Sequence, residues 1–532
     1  MKGGEMKRER LDETQISGAF GTIANHDEGA RRGLRARVLT LLAIIGPGLI
    51  VMIGDNDAGG VSTYAQAGQN FGYSLLWTLP LLIPVLVVNQ EMVARLGVVT
   101  GIGHGRLIRE RIGRRWGNVA ISSILVLNFL IIITEFIGVS LSMRYFGVSP
   151  YLSVPVAVVA LFAVTATGSF RRWERFMMLF VAVNLLVIPL VLRAHVSSGS
   201  ISHGLSHVAM RGGISSAGVL LIISIIGTTV APWQLFFQES NIVDKRITPR
   251  WLNYERVDTI IGSFIVVTVA TVLTAVTAAG LSSHGGTNAF TSSLDVARGL
   301  QRFVGHGTGD FFAIVLLNAS IIGAAVVTLA SSYAVGDLSG RASKGLNVPL
   351  REAKGFYGLF AGLLAVAGVV TLLPGAPLGI ITLAVQALCG LMLPTTTIFV
   401  LLLANDREAL GPWVNPKWLN VVAVIIVVVL VVLSVVLMVS TLFSSVNVVA
   451  LLTWLGAIAG VGLVVGLPIG LRRSAPPVVY DGDRLDWRMP RLALLETPKP
   501  SRARRVLLMA NGIYLATAGI LLVVRVVQLA TS

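Results

Sequence analysis

Two aspartates, Asp55 and Asp57, stand one residue apart inside the apolar stretch GPGLIVMIGDNDAGGVSTYAQAG. An Asp at the centre of a membrane helix costs about 2.5–3.5 kcal/mol on insertion scales, so buried acids mark an ion pathway or a partner. No Lys or Arg lies in the first, sixth or tenth apolar stretch to neutralise them, which leaves a mobile cation as the simplest partner. The backbone around them is equally suited to a cation. An apolar half ends at Gly54, and Asp55, Asn56, Asp57, Ala58, Gly59 and Gly60 follow; paired glycines weaken a helix. A second interruption occurs in GVLLIISIIGTTVAPWQLFFQES, where an apolar half ends at Gly227 and Thr228, Thr229, Val230, Ala231 and Pro232 follow. Proline removes a backbone donor and clashes with the preceding turn. Carbonyls freed near Gly54 and Thr228 would add oxygen ligands to those of the carboxylates.

The elements that must hold these breaks are membrane helices. Of the 532 residues, 54% are hydrophobic and 13% charged, against about 25% charged in soluble domains. Apolar runs long enough to cross a bilayer recur along the chain. They place spans at about 38–65, 73–94, 118–143, 152–167, 176–192, 214–241, 257–281, 310–337, 355–373, 378–404, 418–442 and 450–471, with a further candidate at 506–530. Unwound backbone at membrane depth survives only where protein or a watery cavity satisfies it. Interrupted helices in the first and sixth positions point to inverted repeats, spans one to five and six to ten, with the binding site at the breaks. The chain then divides into an N-terminal tail (1–37), a ten-span core (38–404), spans 11 and 12 (405–471), a basic linker (472–505) and an additional span (506–532).

The net charge of +16 is a topology signal rather than a nucleic-acid footprint. Alternate segments between spans hold 36 of the Lys and Arg residues and the opposite side holds five, with Arg525 inside the last span. That split follows the positive-inside rule, with the N-terminus cytoplasmic and the chain a multi-pass protein of the cell membrane. The first 15 residues read as a mobile tail, and the tail lacks the short apolar core of a cleaved signal peptide. Cys389 is the single cysteine, so an intramolecular disulfide is excluded.

At the level of motifs the chain resembles the NRAMP family of divalent-metal transporters. The resemblance is carried by QAGQNFGYSLLW from Gln66, ARLGVVTG (94–101), TEFIGVS (134–140), GTTVAPWQLF (227–236) and QALCGLMLPTTTIFVLLLANDREALG (386–411), in order, over roughly 40–440. It implies an all-α polytopic membrane protein with a LeuT-like inverted repeat, discontinuous first and sixth helices, and no resident cofactor beyond the transported ion. The family's first-span signature, Asp-Pro-Gly-Asn, falls on Asp57-Ala58-Gly59-Gly60, so the family's metal-binding Asp is kept and its Asn ligand has become Gly60. Its sixth-span Met-Pro-His is Ala231-Pro232-Trp233 here, without the thioether or the imidazole. Ile132 stands where the family has an Asp three residues before Glu135, and Gln386 keeps the polar position of the tenth span.

These departures set the expectations for the site. Asp57 is the principal metal ligand, Asp55 its partner, with the carbonyls of Gly54 and Thr228 and the side chain of Gln386 beside them. Ala231 and Gly60 mark the two lost ligands. Glu135, Thr229, Trp233 and Gln234 line the pathway, Glu135 being either a path residue or a structural hydrogen-bonding group. Losing the Met sulfur removes a preference for soft metals, and a larger all-oxygen site suits Mg²⁺, which keeps several waters. The pattern is similar to the NRAMP-related magnesium transporters, with Mn²⁺ also expected to bind. Without the His and the third-span Asp, uptake driven by membrane potential is simpler than proton coupling; a proton-coupled Mn²⁺/Fe²⁺ importer is the alternative.

Other signals read as ordinary structure. His203 and His207 in ISHGLSH lie in a Gly/Ser-rich external loop with no nearby acid. GIGHG (101–105) resembles a phosphate loop but has no βαβ context, so it reads as a plain turn. Glu91 is placed to pair with Arg95. Three rivals remain: a divalent-cation channel, an organic-cation or amino-acid transporter of the same fold, and a membrane enzyme. No nucleophile elbow or His/Glu metal motif supports the last.

Overall fold

The computed structural model describes residues 15–24, 27, 29, 31–283, 290–338, 345–375, 377–443, 446–473, 480–495, 498 and 502–531. Residues 1–14, the greater part of the expected mobile tail, lie outside them. Among the described residues, ten helices are long and apolar enough to cross a membrane, and the pair Leu34–Ile44 and Pro47–Gly54, bent by 56°, meets the same test taken together and leads into the first span. The short apolar helix Pro150–Thr165 fills the fourth place. The succession from first to twelfth span is the one read from the hydropathy. The break expected after Gly54 in the first apolar stretch is present, and a further bend precedes it at Gly46, whose φ of 152° no other residue adopts comfortably.

The first span consists of span 1a (Pro47–Gly54) and span 1b (Ala58–Phe71). The sixth consists of span 6a (Ser216–Thr229) and span 6b (Pro232–Lys245). Each break has a local cause. Asp57 has extended backbone and its carboxylate accepts from the Gly60 N–H at 2.6 Å, capping span 1b. Pro232 occupies the first turn of span 6b, where a missing N–H costs nothing.

The packing is symmetric when spans 1–5 are exchanged for 6–10, as an inverted repeat requires. Span 1b packs on the seventh span (Leu252–Leu281) as span 6b packs on the second (Leu82–Thr100). Span 6a packs on the tenth (Leu378–Ala404) as span 1a packs on the fifth, which starts at Phe170. The third (Arg114–Tyr145) and eighth (His306–Leu338) lie against each other at the centre. Contact between spans 6a and 10 is close enough to need glycine: a Cβ on Gly227 would come within 2.2 Å of the Gly390 nitrogen.

The twelfth span, Val448–Arg473, leaves Trp454, Ile458, Val461 and Val464 largely exposed, as a lipid-facing helix would. The final helix, Arg502–Thr531, lies against the tenth span, where Thr395 donates to Asn511 at 2.9 Å and the Tyr514 hydroxyl donates to the Leu391 carbonyl. The linker is tied to the core through Trp413, which donates to the Arg484 carbonyl at 2.9 Å while the Arg484 guanidinium stacks on its ring.

Candidate metal centre

The two breaks meet in the middle of the bundle, and every residue expected there is buried. Asp55 and Asp57 are 0% and 2% exposed, figures that leave solvent no direct access to either carboxylate. Their surroundings differ. Asp57 is held by the Gly60 N–H and stands beside Glu135, both side chains lying against Gly323. Both oxygens of Asp55 lack any hydrogen-bond partner, as does the Thr228 hydroxyl. A buried carboxylate without a donor is costly.

The donors around this point are oxygens. A Cβ at Gly60 would stand 2.8 Å from the Asp55 carbonyl oxygen and 3.2 Å from the Thr228 hydroxyl. The room left by the missing Asn side chain is therefore not an open enlargement of the cavity in this conformation; those two oxygens close in on it. Gly59 makes way for Gln386, whose amide nitrogen would lie 1.6 Å from a Cβ there and is otherwise unpartnered. Ala231, buried with extended backbone, offers only a methyl group. Among the described residues, no three His, Cys, Asp or Glu side chains cluster closely enough to hold a metal by themselves. The centre can thus offer one or two carboxylates, with backbone, hydroxyl or water oxygens completing the shell.

The residues expected to line a pathway fall around the same breaks. Glu135 accepts from the Ala58 N–H at 3.0 Å, so it is both a structural acceptor at the break and a neighbour of Asp57. Thr229 donates to the Ile225 carbonyl at 2.7 Å and its hydroxyl lies 2.7 Å from that of Tyr64. Gln234 accepts from Gln90 at 2.8 Å. Trp233 is fully buried with its ring against Gly54, so a Cβ there would approach the ring within 3.2 Å. Ile132 is buried and apolar.

Sequence reasoning missed Tyr64 and Gln90, which complete this polar layer. Their signal was a polar side chain within an apolar helix, diluted by the many others that are only structural. GIGHG is more than a plain turn. His104 is fully buried, and its Nδ1 lies 2.6 Å from Glu239 of span 6b. Glu91 does meet Arg95, at 3.1 Å, and also Arg256, at 2.7 Å. His203 and His207 stack with ring centroids 3.9 Å apart.

With this geometry in view, the comparisons with known proteins are informative. The family model described as natural resistance-associated macrophage protein-like matches residues 48–440. A divalent metal cation transporter MntH of Bacillus subtilis is 27% identical over 418 residues, covering 75% of this chain and 91% of that protein. One of the same name from Verminephrobacter eiseniae is 25% identical over 413 residues, covering 75% and 88%. Among solved structures, the Eremococcus coleocola manganese transporter in complex with an aromatic bis-isothiourea compound superposes with a TM-score of 0.63 at 20% identity, covering 84% of this chain and 98% of that one. That likeness establishes the fold.

Proposed function

The chain belongs to the Nramp family, and on that premise we propose that it imports divalent metal cations by alternating access, with Mg²⁺ the preferred ion, Mn²⁺ a competitor, and no proton coupling. It is a transporter of divalent metals and not an enzyme. The observation that carries the reading is the pair Asp55 and Asp57 at the meeting of two broken helices, with Ala231 where a sulfur ligand would be needed for soft metals. Asp57 is the principal ligand and Asp55, free of donors, holds the ion directly or through water. The Gly54 and Thr228 carbonyls and Gln386 complete the shell, and Thr229, Trp233 and Gln234 line the path. Oxygen donors suit Mg²⁺, which is usually bound through one or two carboxylates with several waters retained. The protein sits in the cell membrane with its N-terminus in the cytoplasm, a placement supported by the distribution of Lys and Arg.

A second reading is proton-coupled import of Mn²⁺. It is favoured by the placement of Glu135 beside Asp57, both against Gly323, since a proton held by this pair would have to move when a metal takes Asp57. Relatives named as divalent metal cation transporters and the manganese transporter of the same fold lend it weight. Uptake into liposomes by purified protein, comparing Mg²⁺, Mn²⁺, Cd²⁺ and Ca²⁺, decides between the two. Mg²⁺ uptake with competition by Mn²⁺ is the expected result. Transport of Mn²⁺ or Cd²⁺ with no Mg²⁺ uptake or competition would sink the magnesium reading.

A further inference from the structure

The chain carries a feature at its start that the metal centre does not use. Strands β1 (Gln15–Gly18) and β2 (Gly21–Ala24) form an antiparallel hairpin in which Gln15 faces Ala24. Two strands of this length are marginal in water alone, so the hairpin must hold its shape by docking. Ile16, Ala19 and Ile23 are buried while Phe20 at its tip is exposed.

The seat is a junction of helix Leu34–Ile44, the start of the fifth span and the end of span 6b. Gly18 lies directly on Ala43; a Cβ there would come 2.0 Å from the Ala43 carbonyl oxygen and 3.2 Å from Lys245 Nζ. Arg175 of the fifth span donates to the Ala19 carbonyl at 3.0 Å. Directly beneath, Lys245 donates to the carbonyls of Ile44 and Ile45 at 2.7 and 3.1 Å and to Glu174 at 2.6 Å. Asp258 of the seventh span accepts from the N–H groups of Gly46, Gly48 and Leu49 at 3.0, 2.8 and 3.1 Å. These contacts fasten the outer end of span 1a to its neighbours, and the hairpin lies across them.

A polar row links this junction to the metal centre. Gln234, Gln238, Asn241 and Lys245 recur along span 6b at spacings of four, three and four residues, which puts them on one helix face. Gln238 Oε1 and both polar atoms of Asn241 are buried without partners. Such a row is wasteful in a packed core and useful along a route that fills with water when it opens.

We propose that the N-terminal hairpin is a strap across the ion's cytoplasmic exit, an autoinhibitory contact that holds span 1a against span 6b and must unseat before the exit opens. The proposal rests on reading the breaks as the ion site and the N-terminus as cytoplasmic. Seated, the strap seals the row at Lys245. Unseated, it frees span 1a to swing about the break at Asp55–Asp57.

The test reads accessibility rather than transport. In a Cys389→Ser background, Asn241→Cys is labelled by a membrane-impermeant maleimide applied to the cytoplasmic face of vesicles, with no metal added. Ile16→Asp and Gly18→Leu should speed labelling by about tenfold or more, the order by which losing one buried contact biases a two-state equilibrium. Arg175→Ala, which removes one exposed side chain's bond to the hairpin, should give a smaller increase. If the first two variants do not fold, Arg175→Ala decides alone. Equal labelling rates in every monodisperse variant would overturn the strap. Faster labelling in a protein that moves no divalent ion would leave the strap standing and remove the metal reading instead.

Discussion

Asp57 and Asp55 have separate work to do, and substitution should separate them. Asp57 is the cap of span 1b as well as the expected ligand, so Asp57→Ala should abolish uptake and lose a cap worth about 0.5–2 kcal/mol. Asp57→Asn keeps a capping oxygen, and it should abolish uptake at near-normal thermal stability. Wild-type uptake in a folded Asp57→Asn protein would remove Asp57 from the ligand set. The Asp55 side chain caps no helix and meets no donor. Asp55→Asn should therefore raise the melting temperature while weakening metal binding, a pairing expected of a group kept for a ligand at the expense of stability. A melting temperature that falls would mean the Asp55 charge serves the fold. Ala231→Met is the cleanest probe of selectivity and should favour Cd²⁺ over Mg²⁺ in competition. Gly60→Asn is a poor one, because the Asp55 carbonyl and Thr228 hydroxyl already occupy that space. The aspartates were legible in the sequence because a charge inside an apolar run is conspicuous. The filling of the space at Gly60 was not, because it depends on how closely two distant half-helices approach.

Among the elements, the breaks were legible and the fastenings that hold them were not. Gly-Gly, Asp and Pro interrupt a helix for local reasons that any reader of the chain can apply. The ion pair of Lys245 with Glu174 joins residues 71 apart, both fully buried, and no spacing rule brings them together. Lys245→Met leaves Glu174 without its cation and should destabilise the protein by about 3–5 kcal/mol, as breaking a buried pair does. Lys245→Met with Glu174→Gln should recover a large part of that loss in detergent thermal melts. An additive double variant would show that the two side chains do not act as a pair. Elsewhere, Gly227→Val would drive a side chain into the backbone of Gly390, forcing spans 6a and 10 apart. It should abolish transport even where the protein still inserts, and normal uptake would contradict the close packing inferred for these spans.

For the whole molecule, what matters is how a divalent ion is drawn through a protein with few titratable groups at its centre. Trp233 and Ile132 cannot carry protons, which leaves Glu135 and the ligands themselves. The membrane potential is sufficient as a driving force: at roughly 2.3 kcal/mol per charge for 100 mV, a divalent ion gains about 4.6 kcal/mol, more than about a thousandfold in accumulation. Asp57 and Glu135 both stand against Gly323, so a proton held between them is the one a coupled cycle would move. If it passes to Glu135 and stays there while metal occupies Asp57, transport carries two charges per ion and no proton. If it leaves to the far side, each ion brings a proton with it. Liposomes with an internal pH-sensitive dye and an inward-negative potential distinguish the two. With external Mg²⁺ or Mn²⁺ the expected result is metal uptake at constant internal pH, with Glu135→Gln still transporting. Metal-dependent acidification of the lumen, absent from empty liposomes and abolished by Glu135→Gln, would establish the coupled cycle and assign its proton to Glu135.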